Sequence, residues 1–322
     1  MKYSILRSRA EGTNQLYLRS FRGWESFARD ILHLPNFLPA DPLNVALYLQ
    51  YLVETSQSAS AISSAFYSLN WAHRLAGLSS PAENPFVISV RDGAIRLLSR
   101  AKDDSHRKEP LDVELLKRAC AQADLDKLLD LRNILMFVLS FGGFLRSLEV
   151  LGLKSGDLEL SEGFVSLTIR ESKTDQLRDG NSVHISEVKD SMICPVTLLK
   201  KYLHKANIQL CTHEFLFRPI SVSRKSQRLV SIDKPISYAT YRDIFKKVFR
   251  NIVPDISKYS THSLRSGGAT LAANSGIPDR QFQRQDGRRK STKAKDIYVK
   301  DSLSARLSVS STLSTSTNQS TC

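Results

Sequence analysis

A chain of 322 residues, 41% apolar and 24% charged, has room for two domains with buried cores, and its composition sits with soluble globular proteins rather than disordered or membrane-embedded ones. Its 46 Lys and Arg against 32 Asp and Glu give a net charge of +14, and the excess is local: residues 220–300 hold 18 basic and 6 acidic side chains, residues 106–219 hold 16 of each. That segment suits a polyanion, which would bind through counterion release, against the alternative of a soluble surface that happens to be basic.

The first hundred residues carry helical periodicity at about 10–30, 42–55, 58–77 and 85–101, separated by Pro35, Pro39, Pro42, Gly77 and Pro81. In the third stretch Ile62, Ala65, Phe66, Leu69, His73 and Ala76 share one face, which makes His73 a core histidine. Ser60, Ser64, Tyr67, Trp71 and Arg74 share the opposite face. Small hydroxyls, aromatics and an arginine fit a DNA major groove, although Trp71 equally suits packing on a neighbouring helix. The charged segment 102–110, ending in Pro110, reads as a linker.

Beyond it, helices are expected at about 112–123 and 126–142. The apolar run Ile134–Leu145 is broken by Ser140, Gly142 and Gly143, so it reads as a buried helix and not a bilayer span. Alternation over Phe164–Arg170, with Val165, Leu167 and Ile169 on one side, predicts a strand, and Ser182–Ile185 pairs back as a hairpin. Helices follow at about 195–205, 238–252, 261–275, 278–285 and 292–300. Residues 302–322 are Ser/Thr-rich and are expected to be a disordered tail. Cys120, Cys194, Cys211 and Cys322 lie far apart, which predicts reduced thiols, no disulfide framework and no metal site. Met1–Ala10 has no secretory pattern, so an intracellular protein is expected.

Several polar residues stand where packing alone does not require them. Arg146 ends the apolar run, with Glu149 three residues on, where a carboxylate can orient the guanidinium; a plain surface ion pair is the alternative. His262 and Arg265 open a helix beside the small residues Ser266, Gly267, Gly268 and Ala269, which permit close backbone approach. Lys173 lies in the hairpin turn, and Tyr298 ends the basic segment; taken singly, these are a solvated lysine and a packing tyrosine.

Taken jointly, LRSLEVLGL, SKTDQLRDG, HSLRSGGAT and AKDIYVKDS resemble the catalytic boxes of tyrosine recombinases, the phage integrase family, over roughly residues 109–300. The resemblance implies a mainly α fold with a small β-sheet: a helical, SAM-like core-binding domain at 1–101 and a catalytic domain at 111–301, together a C-shaped clamp on double-stranded DNA. It implies site-specific recombination through a 3′-phosphotyrosine on Tyr298, with Arg146 and Arg265 on the scissile phosphate, His262 as proton acceptor or phosphate contact, Lys173 as general acid and no cofactor. Arg289 stands where the family usually has His or Trp, which puts activity in doubt. A homotetramer on DNA is implied, and a monomer in solution is compatible with it. A DNA-binding protein that has lost cleavage and a type IB topoisomerase are the alternatives. The compact pairing of a helical domain with a GRW-like box, here altered to GRR, resembles recombinases carried by mobile elements of animals, which implies a nuclear location in a eukaryote.

Overall fold

Asp41 and Pro42 show how locally the first helices are written. Pro42 opens α2 (Pro42–Ser56), where its missing N–H has no partner to lose, and the Asp41 carboxylate accepts the N–H groups of Leu43 (2.8 Å) and Asn44 (3.4 Å). The computed structural model describes residues 9–100, 108–170, 181–223 and 226–285. The chain divides into two compact units, Met1–His106 and Arg107–Cys322.

In the first unit, α1 (Glu11–Asp30), α2, α3 (Ala59–Ala76) and α4 (Pro85–Arg100) enclose a core that includes Trp24, Phe27, Leu49, Ile62, Phe66 and Leu69. His73 is fully buried: its Nε2 accepts the Ala40 N–H (2.9 Å), so Nδ1 carries the proton and donates to the Leu69 carbonyl (2.8 Å). It is the core histidine its position on the apolar face predicts. Ala76, assigned to that face, is exposed instead, because it closes the last turn before Gly77 (φ 70). Gly93, in the middle of α4, faces open space. Gly93→Ala is therefore expected to raise the unfolding free energy by about 1 kcal/mol, read by urea titration, because alanine fixes the helical backbone at less entropic cost.

The second unit is built around α6 (Leu128–Gly142), whose residues Leu131–Phe141 are all buried, as the apolar run requires. On its aromatic flank, Phe137 meets Tyr241, Phe245 and Phe249 of α9 (Tyr238–Phe249). The other helices are α5 (Val113–Gln122), α7 (Ser147–Leu151), α8 (Pro195–Lys205), α10 (Thr261–Asn274) and α11 (Asp279–Gln285). Two small antiparallel sheets complete it: β1 (Leu158–Ser161), β2 (Phe164–Ile169) and β3 (Asn181–Ser186) in that order, and the pair β4 (Ile220–Val222) and β5 (Gln227–Leu229). β2 and β3 form the expected hairpin, with Val165 opposite Ile185 and Leu167 opposite Val183, all buried in the core. The fold is thus mainly helical with small sheets.

Two features depart from expectation. The α9 helix ends at Phe249 rather than 252, and the chain beyond it tightens, with the Ile252 N–H donating to the Phe249 carbonyl three residues back (3.0 Å). The short elements α7, β1, β4 and β5 were not anticipated from periodicity. Residues 102–107 of the expected linker, the expected helix at 292–300 and the Ser/Thr-rich tail lie outside the described residues. Among the described residues, Cys120, Cys194 and Cys211 are free thiols, no His, Cys, Asp and Glu cluster suits a metal, and no helix is long and apolar enough to cross a membrane.

Candidate active site

The apolar helix α6 stops at Gly142, and the next three residues turn the chain sharply before α7. Gly143 returns its N–H to the Leu139 carbonyl (2.9 Å), and Leu145 returns its own to Ser140 (3.0 Å). Phe144 between them takes a left-handed backbone (φ 50), uncommon for a bulky side chain. Its ring is held against Phe282 of α11, with centroids 5.5 Å apart.

That turn delivers Arg146 to the start of α7. Its backbone N–H donates to Glu149 Oε2 (2.7 Å), and its guanidinium Nη1 pairs with Glu149 Oε1. Glu149 is buried, so this is not the solvated surface pair of the alternative reading. From the far side, Arg265 of α10 reaches the same carboxylate: Nη1 lies 3.7 Å from Glu149 Oε2 and donates to the Phe144 carbonyl. Arg265 is only 1% exposed. One carboxylate thus lies between two guanidinium groups that are distant in sequence.

Close packing of α10 makes this possible. A Cβ on Gly267 would sit 2.0 Å from the Leu111 carbonyl oxygen, and one on Gly268 would sit 2.0 Å from that of Phe141. Both positions therefore require glycine, and the small-residue run that follows Arg265 is explained by backbone contact. The N-terminus of α10 is also tied to α7, since Ser147 Oγ donates to Thr261 Oγ1 (3.0 Å). Ser260 caps α10 by accepting the His262 N–H (3.3 Å), and the His262 side chain is exposed on the first turn, one turn before Arg265.

Lys173, Arg289 and Tyr298 lie outside the described residues. The hairpin that carries Lys173 is anchored at its base, where Arg170 pairs with the buried Asp157. Three tyrosines elsewhere are packing residues: burial pushes the Tyr48 phenol up to about 12 and raises those of Tyr202 and Tyr241 further. A phenol that resists ionisation so strongly is a poor nucleophile.

In the helical unit, Ser60, Tyr67 and Arg74 are exposed along one face of α3, with Ser64 half-buried beside them. Trp71 does not join them. It is 8% exposed and packs against Tyr17 of α1, ring centroids 6.0 Å apart, so the packing alternative holds for this residue. The cause is that α3 is covered by α1 as well as by α2 and α4, which leaves a narrower free strip than one helical wheel suggests.

Sequence reasoning missed Phe144, the Ser147 to Thr261 link and the second partner of Glu149. The paired glycines were the one signal that another backbone comes close. The chain is 28% identical over 299 residues to the integrase/recombinase xerD homolog of Selenomonas ruminantium, covering 92% of this chain and 84% of that one. It is 24% identical over 289 residues to recombinase cre of Escherichia phage P1, covering 83% and 78%. Its fold is similar to that of the XerH site-specific recombinase, solved in a post-cleavage complex with its difH substrate, at TM-score 0.65 and 15% identity over 93% of this chain and 78% of that one. The family model described as phage integrase matches residues 109–304, more than half of the sequence, and these residues hold Arg146, Glu149, His262 and Arg265; the chain belongs to the phage integrase family.

Proposed function

We propose that this protein is a site-specific recombinase that cleaves and rejoins double-stranded DNA through a 3′-phosphotyrosine on Tyr298. The observation that carries the reading is the Glu149 carboxylate between Arg146 and Arg265. It fixes two forked, permanently charged donors side by side, the arrangement that suits the non-bridging oxygens of one phosphodiester.

In the reaction, Tyr298 Oη attacks phosphorus, the bond to the 5′ oxygen breaks, and Lys173 gives that oxygen its proton. His262, exposed one turn from Arg265, contacts the phosphate or takes the phenol proton. The two arginines bind the charge that builds on the oxygens in the transition state. A 5′ hydroxyl from the partner strand then reverses the attack. The covalent link conserves the phosphodiester bond energy, so rejoining needs no nucleotide. Arg289 adds a further donor near the phosphate, in place of the usual His or Trp.

The XerH protein is described bound to its DNA substrate, and this chain concentrates its basic charge in residues 220–300. Both support duplex DNA as the partner, with Ser60, Tyr67 and Arg74 of α3 adding groove contacts. Affinity for a random duplex is expected to fall about 10³-fold between about 50 and about 200 mM salt, measured by fluorescence anisotropy. A shallow salt slope would argue against phosphate neutralisation. Strand exchange is proposed to occur in a homotetramer on two sites.

The test is single-turnover trapping on a nicked suicide duplex, which accumulates a covalent adduct with the active protein and none with Tyr298→Phe. A second reading, a DNA-binding protein without cleavage, is favoured by Arg289; it predicts tight duplex binding with no adduct under any condition. A type IB topoisomerase would instead relax supercoils as a monomer without site preference.

A further inference from the structure

We propose that Gln285 is a positioning residue for strand transfer, latching α11 onto the turn that carries Arg146; this rests on the reading that Tyr298 is the nucleophile. Both N–H groups of its side-chain amide are used. Nε2 donates to the Gly142 carbonyl (3.3 Å), which closes α6 just before the arginine turn, and to the His184 carbonyl (3.0 Å) in β3, the strand that returns from the Lys173 hairpin. Gln285 is also the last residue of α11, where the path toward Tyr298 starts.

One primary amide therefore ties α11 both to the end of α6, four residues before Arg146, and to β3. A helix of seven residues cannot hold itself in place by its own hydrogen bonds, so its position depends on such contacts. The second contact is the Phe282 ring on Phe144, whose carbonyl accepts from Arg265. Displacing α11 would thus disturb the turn shared by both arginines as well as the route to the nucleophile.

Leucine at this position fills the same space without a donor, whereas glutamate turns a carboxylate oxygen toward two carbonyl oxygens. In the full chain, Gln285→Leu is expected to lower the single-turnover cleavage rate constant about tenfold or more, through the loss of the two hydrogen bonds that place α11, with duplex affinity unchanged and, because neither bond is deeply buried, the melting temperature little changed. Backbone amides of 279–285 should exchange hydrogen faster. Gln285→Glu should be at least as slow at neutral pH and recover relative to the wild type as pH falls, because the protonated carboxyl donates again.

Wild-type cleavage by Gln285→Leu, or unchanged exchange of α11, overturns the proposal. An inactive wild type whose Gln285→Leu variant still loosens α11 instead points to a failure of the nucleophile reading, leaving a latch without a reaction to position.

Discussion

Arg146→Ala is expected to slow covalent adduct formation about 10³-fold on a suicide duplex, while the folded structure and duplex affinity change little. The side chain is partly exposed, and its removal leaves Glu149 still facing Arg265, so no buried charge is stranded. Arg146→Lys should recover little of the rate, since an ammonium cannot reproduce a planar fork against two oxygens. A duplex with a neutral methylphosphonate at the scissile position should restore part of the lost rate, because one of the charges the arginine balances has been removed from the substrate. Arg265→Ala should lose a similar factor but also unfold more readily, by about 1–3 kcal/mol, because the Phe144 carbonyl loses the buried donor that Arg265 supplies, while Glu149 keeps Arg146 as its partner. If Arg146→Ala cleaves within a few-fold of the wild type, the role assigned to the paired guanidiniums fails.

Gly268→Ala is expected to destabilise the second unit by about 3 kcal/mol or more, with loss of cleavage. The added methyl would lie 2.0 Å from a backbone carbonyl oxygen, which cannot swing aside as a flexible side chain can. Relief requires α10 to move away from α6, and α10 carries Arg265 and His262. Gly93→Ala supplies the contrast: the same substitution in a helix with open space should stabilise. Chemical denaturation of both variants separates the two effects, and equal midpoints for Gly268→Ala and wild type would contradict the packing at α10.

Much of this architecture was legible in local chemistry. The helix expected at 42–55 is observed at Pro42–Ser56, and that at 195–205 is observed at Pro195–Lys205, because a proline and apolar spacing mark each within its own span. The strand over Phe164–Ile169 followed from alternation alone. What was hidden depends on partners far along the chain. α7 has five residues and β1 four, too few to show a period, and each is held by neighbours that no local window contains. Trp71 was placed on an open face because a helical wheel assumes one buried side, while α3 is packed by three helices.

The candidate site divides in the same way. Arg146 with Glu149, and His262 with Arg265, were visible as spaced pairs, but that one carboxylate serves both arginines was not. The connection runs through the Phe144 turn, a left-handed residue at a bulky side chain, for which the sequence holds no signal. Gly267 and Gly268 announced a close approach without naming Leu111 and Phe141 as the backbone that comes near.

The most direct test of the account is to digest the trapped protein–DNA adduct and locate the linkage by mass spectrometry. A 3′-phosphate carried on Tyr298, formed by the wild type and diminished in step by Arg146→Ala and Arg265→Ala, is the predicted result. Attachment to any other residue, or adduct formation indifferent to both arginines, would contradict it.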